Sequence, residues 1–146
     1  MKIRSMKEED LDQVVALEQA VFSQPWSRES FEAELAAAGH CYLVAEEEGQ
    51  ILGYCGYCGV TGEGQIYNVA VKKEARNQGI GRQILKALLQ SGRVAGIEDF
   101  TLEVRIGNQP AIHLYQSLGF ETAGIRKAFY QKPTEDALIM WRYGKK

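Results

Sequence analysis

The centre of the chain is the stretch IYNVAVKKEARNQGIGRQILKALL, residues 66–89. Its apolar start, residues 66–71, is typical of a strand, and the turn Arg76-Asn77-Gln78-Gly79-Ile80-Gly81 leads from it into a helix with one apolar side. Glycines keep Cβ atoms out of the path of a ligand, and the first turn of a helix offers unpaired N–H groups and a positive dipole end. The stretch therefore predicts a strand, a turn and a helix that together bind an anion such as a phosphate.

The turn has a second interpretation, because its glycines could serve only as a tight connection between strand and helix. Ile84 occupies the place of the third glycine in a dinucleotide fingerprint, and the Gly-Lys-Ser/Thr of a P-loop is missing. The remaining functional interpretation is a pyrophosphate site without a metal-binding hydroxyl. The diphosphate of coenzyme A suits such a site, bound by backbone N–H groups of residues 78–82 beside the positive charges of Arg76 and Arg82.

A second informative segment is Phe-Thr-Leu-Glu-Val-Arg-Ile, residues 100–106, which alternates between apolar and polar side chains. In a strand this alternation puts Glu103 on the face opposite the apolar residues, together with Thr101 and Arg105. A carboxylate inside a sheet is costly unless it is paired or in contact with water. Glu103 is therefore either half of a same-face ion pair with Arg105 or, beside a water-lined cleft, a general base.

Tyr115 lies on the apolar side of a helix predicted at residues 109–118. It is either a core aromatic residue whose hydroxyl is satisfied or a proton donor close to Glu103. Asn108 stands directly before this helix and is a predicted cap, a role that is compatible with contacts to a ligand lying across the helix start.

Patterns of apolar residues predict elements in the order β-α-α-β-β-β-α-β-α-β-β. Ser27 is the predicted cap of the second helix. The order predicts an α/β (α+β) fold: a single domain over residues 1–146, with a mixed central sheet of about seven strands and about four helices on both faces. The predicted strands are residues 1–4, 41–46, 51–60, 65–71, 99–106, 120–125 or 120–130, and 137–143, and the predicted helices are residues 8–21, 28–37, 79–95 and 109–118.

Composition narrows the classes of function. With 146 residues, 45% apolar and 25% charged, the chain has the composition of an ordinary soluble domain. A net charge of −2 disfavours binding to nucleic acid by phosphate neutralisation. Residues 1–10 contain no apolar targeting region, and no run approaches the ~20 apolar residues of a membrane span. We expect a cytoplasmic protein that binds neither nucleic acid nor membranes.

The three cysteines, Cys41, Cys55 and Cys58, cannot all pair with one another. Cys55 and Cys58 fall within one predicted strand, where an offset of three places their sulfurs on opposite faces. There is no second cysteine pair, and neither histidine has ligand spacing to this one. We expect reduced strand cysteines and no metal site.

The order of elements and both motifs resemble the GNAT superfamily of N-acetyltransferases. The acetyl-CoA motif of that superfamily, Arg/Gln-x-x-Gly-x-Gly/Ala, is matched in full by residues 76–81. Within the superfamily the chain is most similar to the bacterial ribosomal-protein-alanine N-acetyltransferases. The matching segments include Pro25-Trp26-Ser27, Asn68-Val69-Ala70-Val71, Leu102-Glu103-Val104-Arg105, Asn108, Leu114-Tyr115, Ser117-Leu118-Gly119-Phe120 and Glu135-Asp136-Ala137. Two positions differ from the pattern, because relatives often have a small residue and Ser in place of Ile106-Gly107, and Tyr-Tyr in place of Phe129-Tyr130.

The resemblance implies that an acetyl group passes from acetyl-CoA, a co-substrate, to the α-amine of an alanine-initiated protein, such as a small-subunit ribosomal protein. It implies that Glu103 is the proton acceptor and Tyr115 the proton donor, with no metal. It also implies that Trp26, Tyr67 and Tyr130 contact the acceptor. The residues for which it implies contact with acetyl-CoA are Val69, Ala70, Val71, Arg76, Asn77, Gln78, Gly79, Ile80, Gly81, Arg82 and Asn108.

Two other functions compete with this one. An enzyme of the same fold could acetylate a protein lysine or a small-molecule amine. An assay with a panel of amines would distinguish such an enzyme from one that acetylates N-termini. A non-catalytic acetyl-CoA-binding module is the other alternative, and the presence of both Glu103 and Tyr115 argues against it.

Overall fold

Seven strands form one sheet, in the order β1-β2-β3-β4-β5-β7-β6, in the computed structural model, which describes residues 1–144 except for the side chain of Asn68. Strands β4 and β5 are parallel neighbours, and the other neighbouring pairs are antiparallel. The predicted element order and fold class are confirmed. The strands are β1 Lys2–Ser5, β2 His40–Glu47, β3 Gln50–Val60, β4 Glu63–Val71, β5 Asp99–Arg105, β6 Glu121–Tyr130 and β7 Glu135–Arg142, and the α-helices are α1 Leu11–Val21, α2 Arg28–Ala36, α3 Ile80–Val94 and α4 Gln109–Ser117.

Two apolar clusters cover the two faces of the sheet. Helix α3 directs Ile84, Leu85 and Leu88 into the first cluster, where all three are fully buried, because their spacing follows the helical period. Helices α1 and α2 contribute Leu11 and Phe31 to the second cluster, on the other face. Burying each such side chain contributes about 1.5–3 kcal/mol, so the sheet is fixed firmly from both sides.

Strands β4 and β5 separate before either of them ends. Their pairing stops where Ile66 lies opposite Leu102, whereas β4 continues to Val71 and β5 continues to Arg105. The register of β4 with β3 shifts just after Ile66, and such a bulge bends a strand. We call the gap between residues 67–71 of β4 and residues 103–105 of β5 the cleft. Backbone groups of β4 that would pair with β5 in a regular sheet face this gap.

The start of the first predicted helix differs from the sequence-based prediction. Residues Glu8–Asp10 form one turn of 3-10 helix, and α1 begins only at Leu11. The Asp10 carboxylate explains the tight turn, because it accepts hydrogen bonds from the guanidinium of Arg4 and the backbone N–H of Lys7, each at 2.8 Å. The predicted cap at Ser27 is confirmed, since its Oγ accepts from the backbone N–H of Ser30 at 3.1 Å.

Three further structural findings concern the predictions about membrane spans, cysteines and metal sites. No helix within residues 1–144 is long and apolar enough to cross a membrane. All three cysteines are free thiols, with Cys55 buried and Cys41 and Cys58 half-buried. Among the described residues, no group of His, Cys, Asp and Glu side chains could hold a metal ion.

Candidate active site

The predicted anion site lies where α3 begins, directly after β4. Asn77 and Gly79 both have left-handed backbone conformations, with φ of 64° and 76°, and they turn the chain sharply into the helix. The first helical hydrogen bond runs from Gln83 N–H to the Gly79 carbonyl at 3.0 Å. The N–H groups of Ile80, Gly81 and Arg82 precede it, so they have no partner within the helix. We call this turn, residues 76–82, the cradle.

The two glycines of the cradle have different roles. Gly79 has the left-handed φ that favours glycine, and no atom lies closer than 3.9 Å to the place of its missing Cβ. A Cβ on Gly81 would instead lie 3.5 Å from a Val71 methyl and 3.6 Å from a Leu114 methyl. Gly81 therefore faces β4 and α4. A Cβ on Gly81 would make only ordinary contacts with these two side chains, and the expectation that both glycines clear space for a ligand stays a prediction.

Two arginines fix the edges of the cradle. The Arg76 Nε donates to the Val71 carbonyl at 3.2 Å, which ties the turn to the end of β4. The Arg82 Nη1 donates to Ser117 Oγ at 2.6 Å, which ties α3 to α4. Both charges lie beside the positive end of the α3 dipole, so the region attracts anions. A diphosphate fits this arrangement of free N–H groups and cations.

Asn108 is the N-cap of α4, as predicted. Its Oδ1 accepts from the Ala111 N–H at 3.3 Å, and the residue is exposed. The amide nitrogen of its side chain remains available to a ligand that lies across the start of α4.

Glu103 lies on β5 beside the cleft, on the polar face that the alternation predicts. Its side chain is 15% exposed. Gln65 Nε2 donates to its Oε1 at 3.4 Å, and Arg126 Nη1 donates to its Oε2 at 3.3 Å. The alternative pairing with Arg105 is wrong, because Arg105 forms its ion pair with Glu135 at 3.2 Å. Glu103 is thus a partly solvated carboxylate that can accept a proton.

Tyr115 lies on the buried side of α4, and its side chain packs in the cluster beneath the cleft. It is 7% exposed, and its ring centroid is 6.0 Å from that of Phe120. Among the described side chains, none forms a hydrogen bond with its hydroxyl. Burial raises the pKa of Tyr115, and nearby Tyr130 and Cys55 raise it further. The hydroxyl therefore keeps its proton at neutral pH and can donate it to a ligand.

Tyr130, at the end of β6, connects the two predicted catalytic residues. Burial raises its pKa to about 12, and the negative charge of Glu103 acts in the same direction. The guanidinium of Arg105 lies 4.5 Å from its ring centroid. Tyr130 lies close enough to both Tyr115 and Glu103 for an electrostatic interaction with each of them.

The other two predicted acceptor residues form a separate pair. The ring centroids of Trp26 and Tyr67 are 5.4 Å apart, in an edge-on arrangement. The Trp26 backbone N–H donates to Oε2 of the buried Glu18 at 2.8 Å. The hydroxyl of Tyr54 donates to the other oxygen of the same carboxylate. The ring contacts of the described residues pair Trp26 with Phe31 and Tyr67, and Tyr130 with Phe129, so the predicted acceptor residues fall into two separate groups.

Sequence reasoning missed the side chains that hold Glu103. Gln65 reaches it from the parallel neighbour β4, and Arg126 reaches it from β6, 23 residues along the chain. Nothing in the local pattern marks Arg126, because β6 is exposed along most of its length and carries no clear alternation.

A mixed sheet that opens between its parallel strands, followed by a helix whose first N–H groups have no partner within the helix, is the fold of an acyltransferase. The chain belongs to the acetyltransferase (GNAT) family, whose model matches residues 11–120. It is an N-acetyltransferase. Members of this family take the acetyl group from acetyl-CoA.

Relatives match the chain over nearly its full length. A protein of Bacillus subtilis (strain 168) is 39% identical over 140 residues, 95% of this chain and 93% of the relative, and it is provisionally named as a ribosomal protein bS18-alanine N-acetyltransferase. The ribosomal protein bS18-alanine N-acetyltransferase of Escherichia coli (strain K12) is 35% identical over 144 residues, 94% of each chain. The crystal structure of the ribosomal-protein-S18-alanine N-acetyltransferase from Escherichia coli has a TM-score of 0.91 at 31% identity, covering 99% of this chain and 94% of that one.

Proposed function

We propose that this enzyme transfers the acetyl group of acetyl-CoA to the α-amine of an alanine-initiated protein, and that its substrate is a small-subunit ribosomal protein. The observation that carries the proposal is the position of Glu103 on β5 beside the cleft, with Tyr130 close enough to interact electrostatically with both Glu103 and Tyr115. The names of the relatives, which specify the alanine of ribosomal protein bS18, supply the acceptor. We expect the enzyme to act in the cytoplasm, without direct contacts to nucleic acid or membrane.

The cradle is the proposed site for the diphosphate of acetyl-CoA. The free N–H groups at the start of α3 and the positive charges of Arg76 and Arg82 would bind the phosphates, and Asn108 would contact the donor from the start of α4. Residues 69–71 of β4 face the cleft, so their backbone groups would bind the acyl arm and supply an N–H to the developing oxyanion. When bound, acetyl-CoA supplies a thioester carbon for the amine to attack and a thiolate that leaves.

Glu103 is the proposed proton acceptor, directly or through a water. An α-amino group has a pKa near ~7.8, so part of it is already neutral at cellular pH, whereas lysine at ~10.4 is almost wholly protonated. A carboxylate can therefore serve as the base for an N-terminal amine. As the new C–N bond forms, Glu103 takes the proton that the amine nitrogen loses.

Tyr115 is the proposed proton donor to the leaving sulfur. Its raised pKa keeps the hydroxyl protonated at neutral pH, and no described side chain competes for its proton. As the C–S bond breaks, the hydroxyl hydrogen-bonds to or protonates the thiolate, whose thiol we take to have a pKa near the ~8.5 of cysteine.

The acceptor would enter between Trp26 and Tyr67 on one side and Tyr130 on the other. Aromatic side chains of this kind offer an apolar wall with a polar edge, which suits a short side chain such as alanine next to a charged or polar peptide end.

Mass spectrometry of ribosomal-protein N-termini, from cells with and without the enzyme, tests the proposal. We expect one small-subunit protein that begins with alanine to lose its N-terminal acetyl group. Purified enzyme should acetylate a peptide with that N-terminus faster than lysine peptides or small amines. A preference for lysine or a small amine would replace the proposed acceptor, and acetyl-CoA binding without turnover on any amine would make the chain a binding module.

A further inference from the structure

Two loops adjoin the proposed acceptor residues: residues 22–27, between α1 and α2, which contain Trp26, and residues 131–134, between β6 and β7, which follow Tyr130. One guanidinium reaches both of them. Arg105 Nη2 donates to Ser23 Oγ at 3.3 Å in the first loop and to the Gln131 carbonyl at 3.0 Å in the second. Arg105 Nη1 donates to the Pro133 carbonyl at 3.0 Å. The two loops are also joined directly, since the Gln131 N–H donates to Gln24 Oε1 at 3.3 Å.

The same guanidinium is stacked against an acceptor-side ring. It lies 4.5 Å from the centroid of Tyr130, whose pKa is raised by the charge of Glu103 and lowered by that of Arg105. A cation over an aromatic face restricts the orientation of the ring. Arg105 therefore influences where Tyr130 stands relative to Glu103 without itself contacting that carboxylate.

Glu135 holds Arg105 in place and links it to α4. Its Oε1 accepts from Arg105 Nη1 at 3.2 Å, and its Oε2 accepts from the Gly107 N–H at 2.7 Å. A Cβ on Gly107 would lie 2.8 Å from Oε2, so a larger residue at position 107 would make this carboxylate shift. Gly107 directly precedes Asn108, the N-cap of the helix that carries Tyr115. The Arg105–Glu135 pair thus joins the two loops to the catalytic helix.

We propose that Arg105 is a positioning residue that holds both loops and Tyr130 in the arrangement that receives the acceptor N-terminus, an inference that rests on the proposed function. Only arginine offers several donors in a fixed planar fork, which here serves two carbonyls, a hydroxyl and a carboxylate at once. When the loops are already ordered in the free enzyme, binding of the acceptor does not include the entropic cost of ordering them. Loss of the fork should therefore weaken acceptor binding more than it slows the chemical step.

The test is Arg105→Lys, which keeps the charge and removes the fork, compared with Arg93→Lys on the exposed side of α3. With an alanine-initiated peptide at saturating acetyl-CoA, we expect Arg105→Lys to raise the acceptor KM about 10-fold and to change kcat by less than about 3-fold. Its affinity for acetyl-CoA by calorimetry should match the wild type. Arg93→Lys should leave all three values unchanged. An unchanged acceptor KM, or a fall in kcat and acetyl-CoA affinity together with the melting temperature, would overturn the proposal.

Hydrogen exchange on the free enzyme gives a second reading that needs no acceptor. We expect faster exchange of backbone N–H groups in residues 131–134 in Arg105→Lys and not in Arg93→Lys. If the wild type fails to acetylate the alanine peptide, the proposed function fails, and the exchange rates still decide the role of Arg105. Equal exchange in the two variants would remove Arg105 as the residue that orders the loops.

Discussion

The two halves of the active site are built from different groups. The donor half consists mainly of backbone: free N–H groups at the start of α3, a left-handed Gly79 and the open edge of β4. The acceptor half consists of side chains, with Glu103, Arg105 and Tyr130 held by charged and aromatic contacts. A backbone site is determined by conformation and tolerates many side chains, whereas a side-chain site depends on each partner. The two halves should therefore respond to mutation in different ways.

The largest effect is expected from Glu103→Gln, which removes the proposed base from the acceptor half. The amide can keep its contact with Gln65 and loses the charge that attracts Arg126, so the fold should remain. We expect kcat/KM for an alanine-initiated peptide to fall about 10²-fold at neutral pH. The deficit should shrink as pH rises, because more of the α-amine is then neutral without help. A pH–rate profile of both proteins checks this, and equal activity from about pH 6 to 9 would remove Glu103 from the mechanism.

The next largest effect is expected from Tyr115→Phe, which changes a residue between the proposed donor and acceptor halves. Its hydroxyl is proposed to act only as the thiolate leaves, so kcat should fall about 10-fold or more while the acceptor KM stays nearly unchanged. Tyr57→Phe is the matched control, since Tyr57 is also buried, at 4% exposure, and has no assigned role. Steady-state kinetics at saturating acetyl-CoA, together with melting curves, distinguish a catalytic role of the Tyr115 hydroxyl from a structural one. If both variants retained full turnover, Tyr115 would be only a core residue.

A smaller effect is expected in the donor half from Gly79→Ala. Alanine at a φ of 76° costs about 1–2 kcal/mol, and relief of that strain would move the cradle N–H groups. We expect acetyl-CoA to bind about 5- to 10-fold more weakly by calorimetry. Gly81→Ala is the contrast, because its Cβ would make ordinary contacts at 3.5 and 3.6 Å, and it should leave affinity nearly unchanged. The reverse ranking of the two variants would contradict the assignment of Gly79 to the cradle.

The smallest effect is a pH dependence of stability from Glu18, which holds Trp26 in the acceptor half. Burial raises the pKa of Glu18, outweighing the hydrogen bonds from Tyr54 and Trp26. The folded state thus binds this proton more tightly than the unfolded state does. The resulting stability is present below the ordinary pKa of the carboxyl and is lost as pH rises through the raised one.

Glu18→Gln should therefore lose less unfolding free energy than the wild type as the pH rises over this range. Denaturant unfolding at a series of pH values measures the difference, with Glu29→Gln, at an exposed position of α2, as the control. Parallel curves for the wild type and Glu18→Gln would show that this carboxyl does not titrate differently on folding.

Local sequence determined most of the donor half. The turn and the amphipathic helix place the cradle, and Ser27 and Asn108 cap their helices as predicted because a cap depends on residues within one turn. Alternation along β5 likewise placed Glu103 opposite the buried residues. These features depend on neighbours a few residues apart, which a periodic pattern can reveal.

Only the tertiary structure decided which partner each side chain meets. Arg105 shares a strand face with Glu103 and yet pairs with Glu135, 30 residues later, while Glu103 takes Arg126. The point at which β4 leaves β5, and the turning of Gly81 towards Val71 and Leu114, follow from strand register and helix packing. Periodicity assigns a residue to a face. The residue opposite that face is set by how distant segments pack, because strands that pair in the sheet, such as β5 and β7, lie far apart in the sequence.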